Sequence, residues 1–243
     1  THNSWFSSKG YLQGAFWMIL MCVFSNLNDV LIKYLGMRLP GVEITFFRFF
    51  FSSIVLLPFI LFYGKKVIVT HYPNIQFIRA LLLVVAISFW CYGVISLPLT
   101  TTTTIGFTTP FFVLPLAKIF LKEHVGWQRG CATFFGFIGI VIILHPSGFG
   151  FNIMVLSLVI STIIFSVLDI INKKLLIKDE NILSMIFYSA LGATILAFIP
   201  AVMAWKTPIF QELLFLFLLG GGANLILFCL LKAYFATDVT AIQ

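Results

Sequence analysis

Asp29 and Lys33 lie one helical turn apart near the end of the first long apolar run, and Asp169 and Lys173 repeat that spacing in the second half of the chain. On a helix, each carboxylate could pair with its ammonium and so reduce the cost of taking either out of water. Asn26, Asp29 and Lys33 share one helical face, and Ser166, Asp169 and Lys173 share another, with Asn172 beside the second set. Such faces could line a polar path, with the two pairs acting as gates toward opposite ends. Alternatively, both lysines snorkel to an interface and the aspartates accompany them.

Arg48 stands in a phenylalanine-rich stretch, Phe46-Phe47-Arg48-Phe49-Phe50-Phe51. A guanidinium does not deprotonate in a protein, so it needs an anionic partner. Glu43 and the carboxylate of a bound small molecule are the two candidates; an interfacial anchor that points outward is the third reading. Trp90 and Tyr92, with Phe107 and Phe111 in the next span, offer ring faces that attract a cationic centre or stack on a flat base. With 29 phenylalanines, many rings face lipid or pack in the bundle. Thr100 to Thr104, followed by Thr108-Thr109-Pro110, marks a place where a span could kink and widen a cavity. Gly220-Gly221-Gly222-Ala223-Asn224 reads as a close helix contact, with Asn224 the member nearest a ligand.

The elements that position these residues follow from composition. The chain has 60% apolar and 9% charged residues and a mean hydropathy of +1.08, too little polar surface for a water-soluble protein of 243 residues. Lipid cannot satisfy free backbone groups, and runs of about 20 apolar residues indicate helices rather than barrel strands. The expected fold class is an all-α polytopic membrane protein with eight spans, near 11–35, 42–63, 77–97, 101–121, 127–145, 152–176, 183–204 and 210–232. Eleven basic residues, Arg79 among them, fall on one side of this topology against Lys33, Arg38 and Lys206 on the other, so the rule that basic loops stay inside puts the N-terminus in the cytoplasm. The net charge of +7 is thus split among loops and makes no nucleic-acid footprint. Glu123-His124 and Asp179-Glu180 read as solvated loop charges. The four cysteines sit in separate apolar runs and read as small core residues.

The repeated Asp-x-x-x-Lys, the Phe-Ser-x-Leu at Phe24 and Phe165, and Pro58 facing Pro200 indicate a duplication. Five spans per unit would bring the second copy in from the opposite side, an inverted repeat with units at 1–146 and 147–243. Ala233 to Gln243 echoes the lead-in to the fourth span, so the second unit is expected to be incomplete, with ten helices in the whole protein. There is no H-E-x-x-H, G-x-S-x-G or Walker loop, which argues against catalysis and ATP hydrolysis by this chain. No cofactor is expected. A passive assembly or lipid-handling protein would gain nothing from intramembrane charges that leucines would not supply.

Ser25-Asn26-x-x-Asp29-Val30, Lys33-Tyr34-Leu35-Gly36, Phe46 to Ser53, Trp127-Gln128-Arg129, Gly136-Phe137-Ile138-Gly139 and Leu168 to Lys174 carry a resemblance to the EamA type of the drug/metabolite transporter superfamily. Within it the chain is similar to S-adenosylmethionine uptake transporters of obligate intracellular bacteria. The resemblance implies two antiparallel five-helix units and a secondary carrier in the bacterial inner membrane, surrounded by lipid. It also implies a small-molecule partner, S-adenosylmethionine, or alternatively an amino acid or drug for export. The residues expected to meet that substrate are Asn26, Asp29, Lys33, Arg48, Trp90, Tyr92, Phe107, Asp169, Asn172, Lys173 and Asn224.

Overall fold

Helices start and stop where the sequence supplies or removes backbone partners. Asn181 accepts a hydrogen bond from the Leu183 amide at 2.9 Å and caps one helix; Pro73 sits in the first turn of another, where its missing N–H costs nothing. Gly64, at a φ of 64°, closes a third. The computed structural model describes residues 9–64, 69–123 and 153–239, with scattered positions between 127 and 138. Within them the chain forms α1 (Lys9–Leu35), α2 (Gly41–Tyr63), α3 (Pro73–Ser96), α4 (Leu99–Gly106), α5 (Thr109–Phe120), α6 (Ile153–Ile177), α7 (Ile182–Met203) and α8 (Phe210–Ala236).

These eight helices are not the eight expected spans. Counting Leu99–Phe120 as one crossing, seven segments among the described residues are long and apolar enough to traverse a bilayer. The expected span at 127–145 lies outside the described residues, apart from isolated helical positions. The fourth span is divided at Phe107 and Thr108, where Pro110 falls in the first turn of α5 and the Thr108 and Thr109 hydroxyls bond back to the Ile105 and Gly106 carbonyls at 2.6 Å. Pro58 and Pro200, by contrast, lie within continuous helices.

α1 packs along α8 and α3 along α6; α2 contacts α8, α3 contacts α7, and α2 faces α7. Exchanging α1, α2 and α3 for α6, α7 and α8 reproduces the same set of contacts. Two apolar layers hold the bundle, one built around Ile32, Leu35, Ile44, Leu216 and Leu219, the other around Leu175, Met185, Leu231 and Tyr234. At one end the segment after α1 meets the segment after α7, where Arg38 pairs with Glu212 and donates to the Thr207 carbonyl at 2.9 Å. At the other end Thr70, before α3, donates to Glu180, before α7.

Candidate functional site

Between these layers the helices enclose a cavity of about 430 Å³ whose lining is largely apolar but includes Asp29, Arg48, Trp90, Asp169 and Asn224. Both aspartates face this one space, although α1 and α6 are far apart in sequence. Asp29 is 9% exposed and accepts a hydrogen bond from Trp90 Nε1 at 2.8 Å, which fixes the indole at the wall. Trp90 meets Phe165 edge to face with ring centres 6.0 Å apart, so the two aromatic residues turn different faces to the space. Asp169 is 7% exposed.

The lysines do not join them, which corrects their assignment as substrate-binding partners of the aspartates. Lys33 donates to the carbonyls of Ile95 and Leu97 at 2.7 and 2.8 Å, at the C-terminal end of α3. Lys173 does the same to Tyr234 and Thr237 at 2.6 and 2.7 Å, at the end of α8. Each ammonium therefore covers the last carbonyls of a neighbouring helix, where the helix dipole favours a positive charge. Neither lysine lines the cavity. With carbonyls supplied in this way, neither ammonium needs to snorkel or to pair with an aspartate.

Arg48 does face the cavity. It is 8% exposed, and its Nε has no hydrogen-bond partner. Glu43 is not its counter-ion, because Glu43 Oε2 accepts from the Lys206 backbone amide at 2.9 Å; the nearby acid that attracts the guanidinium is Asp29. The outward-pointing anchor is thereby excluded as well. Asn224 is braced by Ser52, whose hydroxyl donates to Asn224 Oδ1 at 2.5 Å while Asn224 Nδ2 donates to the Ser52 carbonyl at 2.9 Å.

The remaining expected residues divide. Asn172 lines the cavity but its Oδ1 accepts from Arg79 Nε at 2.8 Å. Phe107 lies at the α4–α5 break, on the lining and 67% exposed. Asn26 also borders the space, yet it is exposed and its amide bonds to the Cys22 carbonyl of its own helix at 2.8 Å. Tyr92 is 46% exposed and does not line the cavity; it follows Trp90 by two positions on α3, and residues two apart on a helix point to different faces.

Three polar residues were missed or misplaced by the sequence. Arg79, expected among the loop charges, is 2% exposed inside α3 and donates to Asn172, Gln76 and the Met185 carbonyl. Glu180, expected in solvent, is 6% exposed and accepts from Thr70 and from Gln76 Nε2. Asn28 lines the cavity at 3% exposure with an unpaired Nδ2. An asparagine inside an apolar run was the available signal for Asn28.

The cavity is therefore lined by two carboxylates, the two guanidinium groups of Arg48 and Arg79, and an indole in a space of ligand size, with no metal-binding group of three or more residues among the described residues. The geometry suits holding a small charged molecule. Residues 12–145 match the model of the EamA-like transporter family. The chain belongs to that family. An S-adenosylmethionine uptake transporter from Rickettsia prowazekii is 47% identical over 96% of this chain and 79% of its own length, and one from Rickettsia conorii is 48% identical over the same shares. A riboflavin transporter from Vibrio cholerae is 28% identical over 96% of this chain and 79% of its own. One solved crystal structure superposes with a TM-score of 0.72 at 18% identity, covering 95% of this chain and 80% of that one, a likeness of fold alone. This EamA-like protein is a multi-pass membrane transporter and not an enzyme.

Proposed function

We propose that this protein is a secondary carrier that moves S-adenosylmethionine across the bacterial inner membrane by alternating access. The observation that carries the reading is the pair Asp29 and Asp169, both buried and both lining one cavity. The two carboxylates offer sites for cationic charge, and S-adenosylmethionine brings two such centres, a sulfonium and an ammonium, together with a carboxylate for Arg48 and an adenine for Trp90. The names of the relatives that are 47% and 48% identical support the same substrate. Riboflavin has no cationic centre, so the charges favour the sulfonium compound over it. An amino-acid or drug exporter on the same scaffold is the competing reading.

On this proposal the protein is two inverted units, 1–146 and 147–243, with its N-terminus in the cytoplasm and lipid around the bundle. The self-matching helix contacts and the paired lysine caps support the two units. Asp29, Arg48, Trp90, Phe107, Asp169 and Asn224 meet the substrate, and Asn172 holds Arg79 in place. Cells expressing the whole protein should accumulate labelled S-adenosylmethionine saturably and recover it chemically unchanged. S-adenosylhomocysteine, which lacks the sulfonium charge, should compete weakly and riboflavin not at all. Absence of uptake above vector controls, or equal competition by riboflavin, overturns the substrate.

A further inference from the structure

We infer that Arg48 and Asn28 form a carboxylate subsite, so that the transported molecule must present a free carboxylate to the α1–α2–α8 side of the cavity. The inference deepens the proposed function and rests on it for the identity of the substrate only. Among the described residues the buried side-chain atoms without a partner are Asn28 Nδ2, Glu43 Oε1 and Arg48 Nε. Two of the three belong to residues that line the cavity, and both are donors. A buried donor without an acceptor is costly, more so when charged, so native structures rarely keep one unless something else supplies the acceptor.

Several polar groups of the cavity are engaged with one another. Asn224 and Ser52 satisfy each other, Arg79 has Asn172 and Gln76, and Asp29 Oδ1 has the indole of Trp90. The two unpartnered donors, Arg48 Nε and Asn28 Nδ2, both lack an acceptor, and a carboxylate offers two oxygens that match a guanidinium and an amide donor.

The sequence builds this arrangement with glycines on α8. A β-carbon at Gly222 would lie 2.6 Å from Asn28 Oδ1, and one at Gly220 would lie 2.7 Å from the Ser52 amide nitrogen and 2.9 Å from the Arg48 carbonyl oxygen. Removing both β-carbons lets α1 and α2 approach α8 closely enough to direct Asn28 and Arg48 into one space. The middle residue, Gly221, has open space where its side chain would be, so the two flanking glycines are the ones that shape the subsite.

The test compares substrates that differ only at the carboxylate. Uptake of S-adenosylmethionine and of its decarboxylated analogue is measured in wild type, Arg48→Lys, Arg48→Gln and Asn28→Leu. Thermal stabilisation of the purified whole protein by methionine and by methioninamide is measured alongside. Wild type should prefer the carboxylate form at least tenfold, Arg48→Gln should bring the ratio near one, and Arg48→Lys and Asn28→Leu should fall between. The ratio cancels differences in the amount of folded carrier, so a merely structural Arg48 would lower both uptakes and leave the preference intact. That outcome, or equal transport of both forms by wild type, overturns the subsite. Should S-adenosylmethionine uptake be absent while methionine stabilises wild type over methioninamide and not Arg48→Gln, the subsite stands and the substrate assignment falls. Absence of both uptake and any methionine preference overturns both.

Discussion

At the residue scale, the aspartates act on the cavity and not on the lysines. Lys33 and Lys173 keep their carbonyl partners whether or not an acid is present, so Asp29→Asn leaves no ammonium stranded. An asparagine oxygen can still accept from Trp90 Nε1, which should preserve the fold. What is lost is negative charge facing the cavity, and on the proposed function a charged contact is worth roughly 1.5–3 kcal/mol, about a ten- to hundredfold change in affinity. Asp29→Asn and Asp169→Asn should each raise the half-saturating substrate concentration by about that factor while the protein remains monodisperse in detergent. Uptake unchanged in both variants would remove the aspartates from the binding site. Glu180 is the opposite case. Glu180→Leu deprives Thr70 and Gln76 of their acceptor, at about 1–3 kcal/mol per unsatisfied donor, so the thermal midpoint of the purified protein should drop by several degrees. A solvated Glu180 would tolerate the change within about 0.5 kcal/mol.

Between elements, backbone proximity on α8 does what side-chain complementarity does in soluble cores. Gly220→Ala would drive a methyl group against the Ser52 amide and the Phe51 β-carbon, both at 2.7 Å, whereas Gly221→Ala meets nothing within 4 Å. The first should destabilise by about 1–3 kcal/mol and the second scarcely at all, readable as thermal midpoints of the two variants in the same detergent. Equal midpoints would mean that α2 and α8 do not pack this closely. The sequence made the glycine contact legible, along with seven spans and the break before Pro110, because each depends on local features: apolar length, a missing side chain, a missing N–H. It could not reveal the environment of Arg79, six residues into α3. That arginine is buried only because Asn172, from α6, and Gln76, one turn earlier on α3, supply acceptors, and the first of these comes from a distant part of the chain. The same limit applies to Lys33, whose acceptors lie on α3 and beyond it. Tyr92 failed for a different reason, since its aromatic type was weighed without the helical rotation that separates it from Trp90. Asp29, Arg48, Trp90, Asp169 and Asn224 were legible because polar or aromatic groups in an apolar run must turn toward one another.

At the scale of the whole molecule, the contacts sort the loops into two faces before any orientation is chosen. The segment around Met37 and Arg38 meets the segment from Lys206 to Ile209 through Arg38 with the Thr207 carbonyl and Lys206 with the Arg38 carbonyl, and the adjoining helix starts join in through Arg38 with Glu212 and the Lys206 amide with Glu43. On the other face, Thr70 and His71 meet Glu180, and Lys174 lies 4.9 Å from the centre of the Phe120 ring. Met37 is 81% exposed and Ile177 63%, so both positions can report on solvent. The face with Ile177 also carries Lys118, Lys122, Lys174, Lys178 and Lys232 near helix ends, against Lys33, Arg38 and Lys206 opposite, and basic segments are retained on the cytoplasmic side. With the native cysteines replaced, an impermeant maleimide added to intact cells should therefore label Met37→Cys and Thr207→Cys but reach Ile177→Cys only after lysis. Labelling of Ile177→Cys alone in intact cells would reverse the orientation and leave the fold intact. Labelling of Met37→Cys without Thr207→Cys would break the fold itself, because the Arg38 contacts require those two segments to share one face of the membrane.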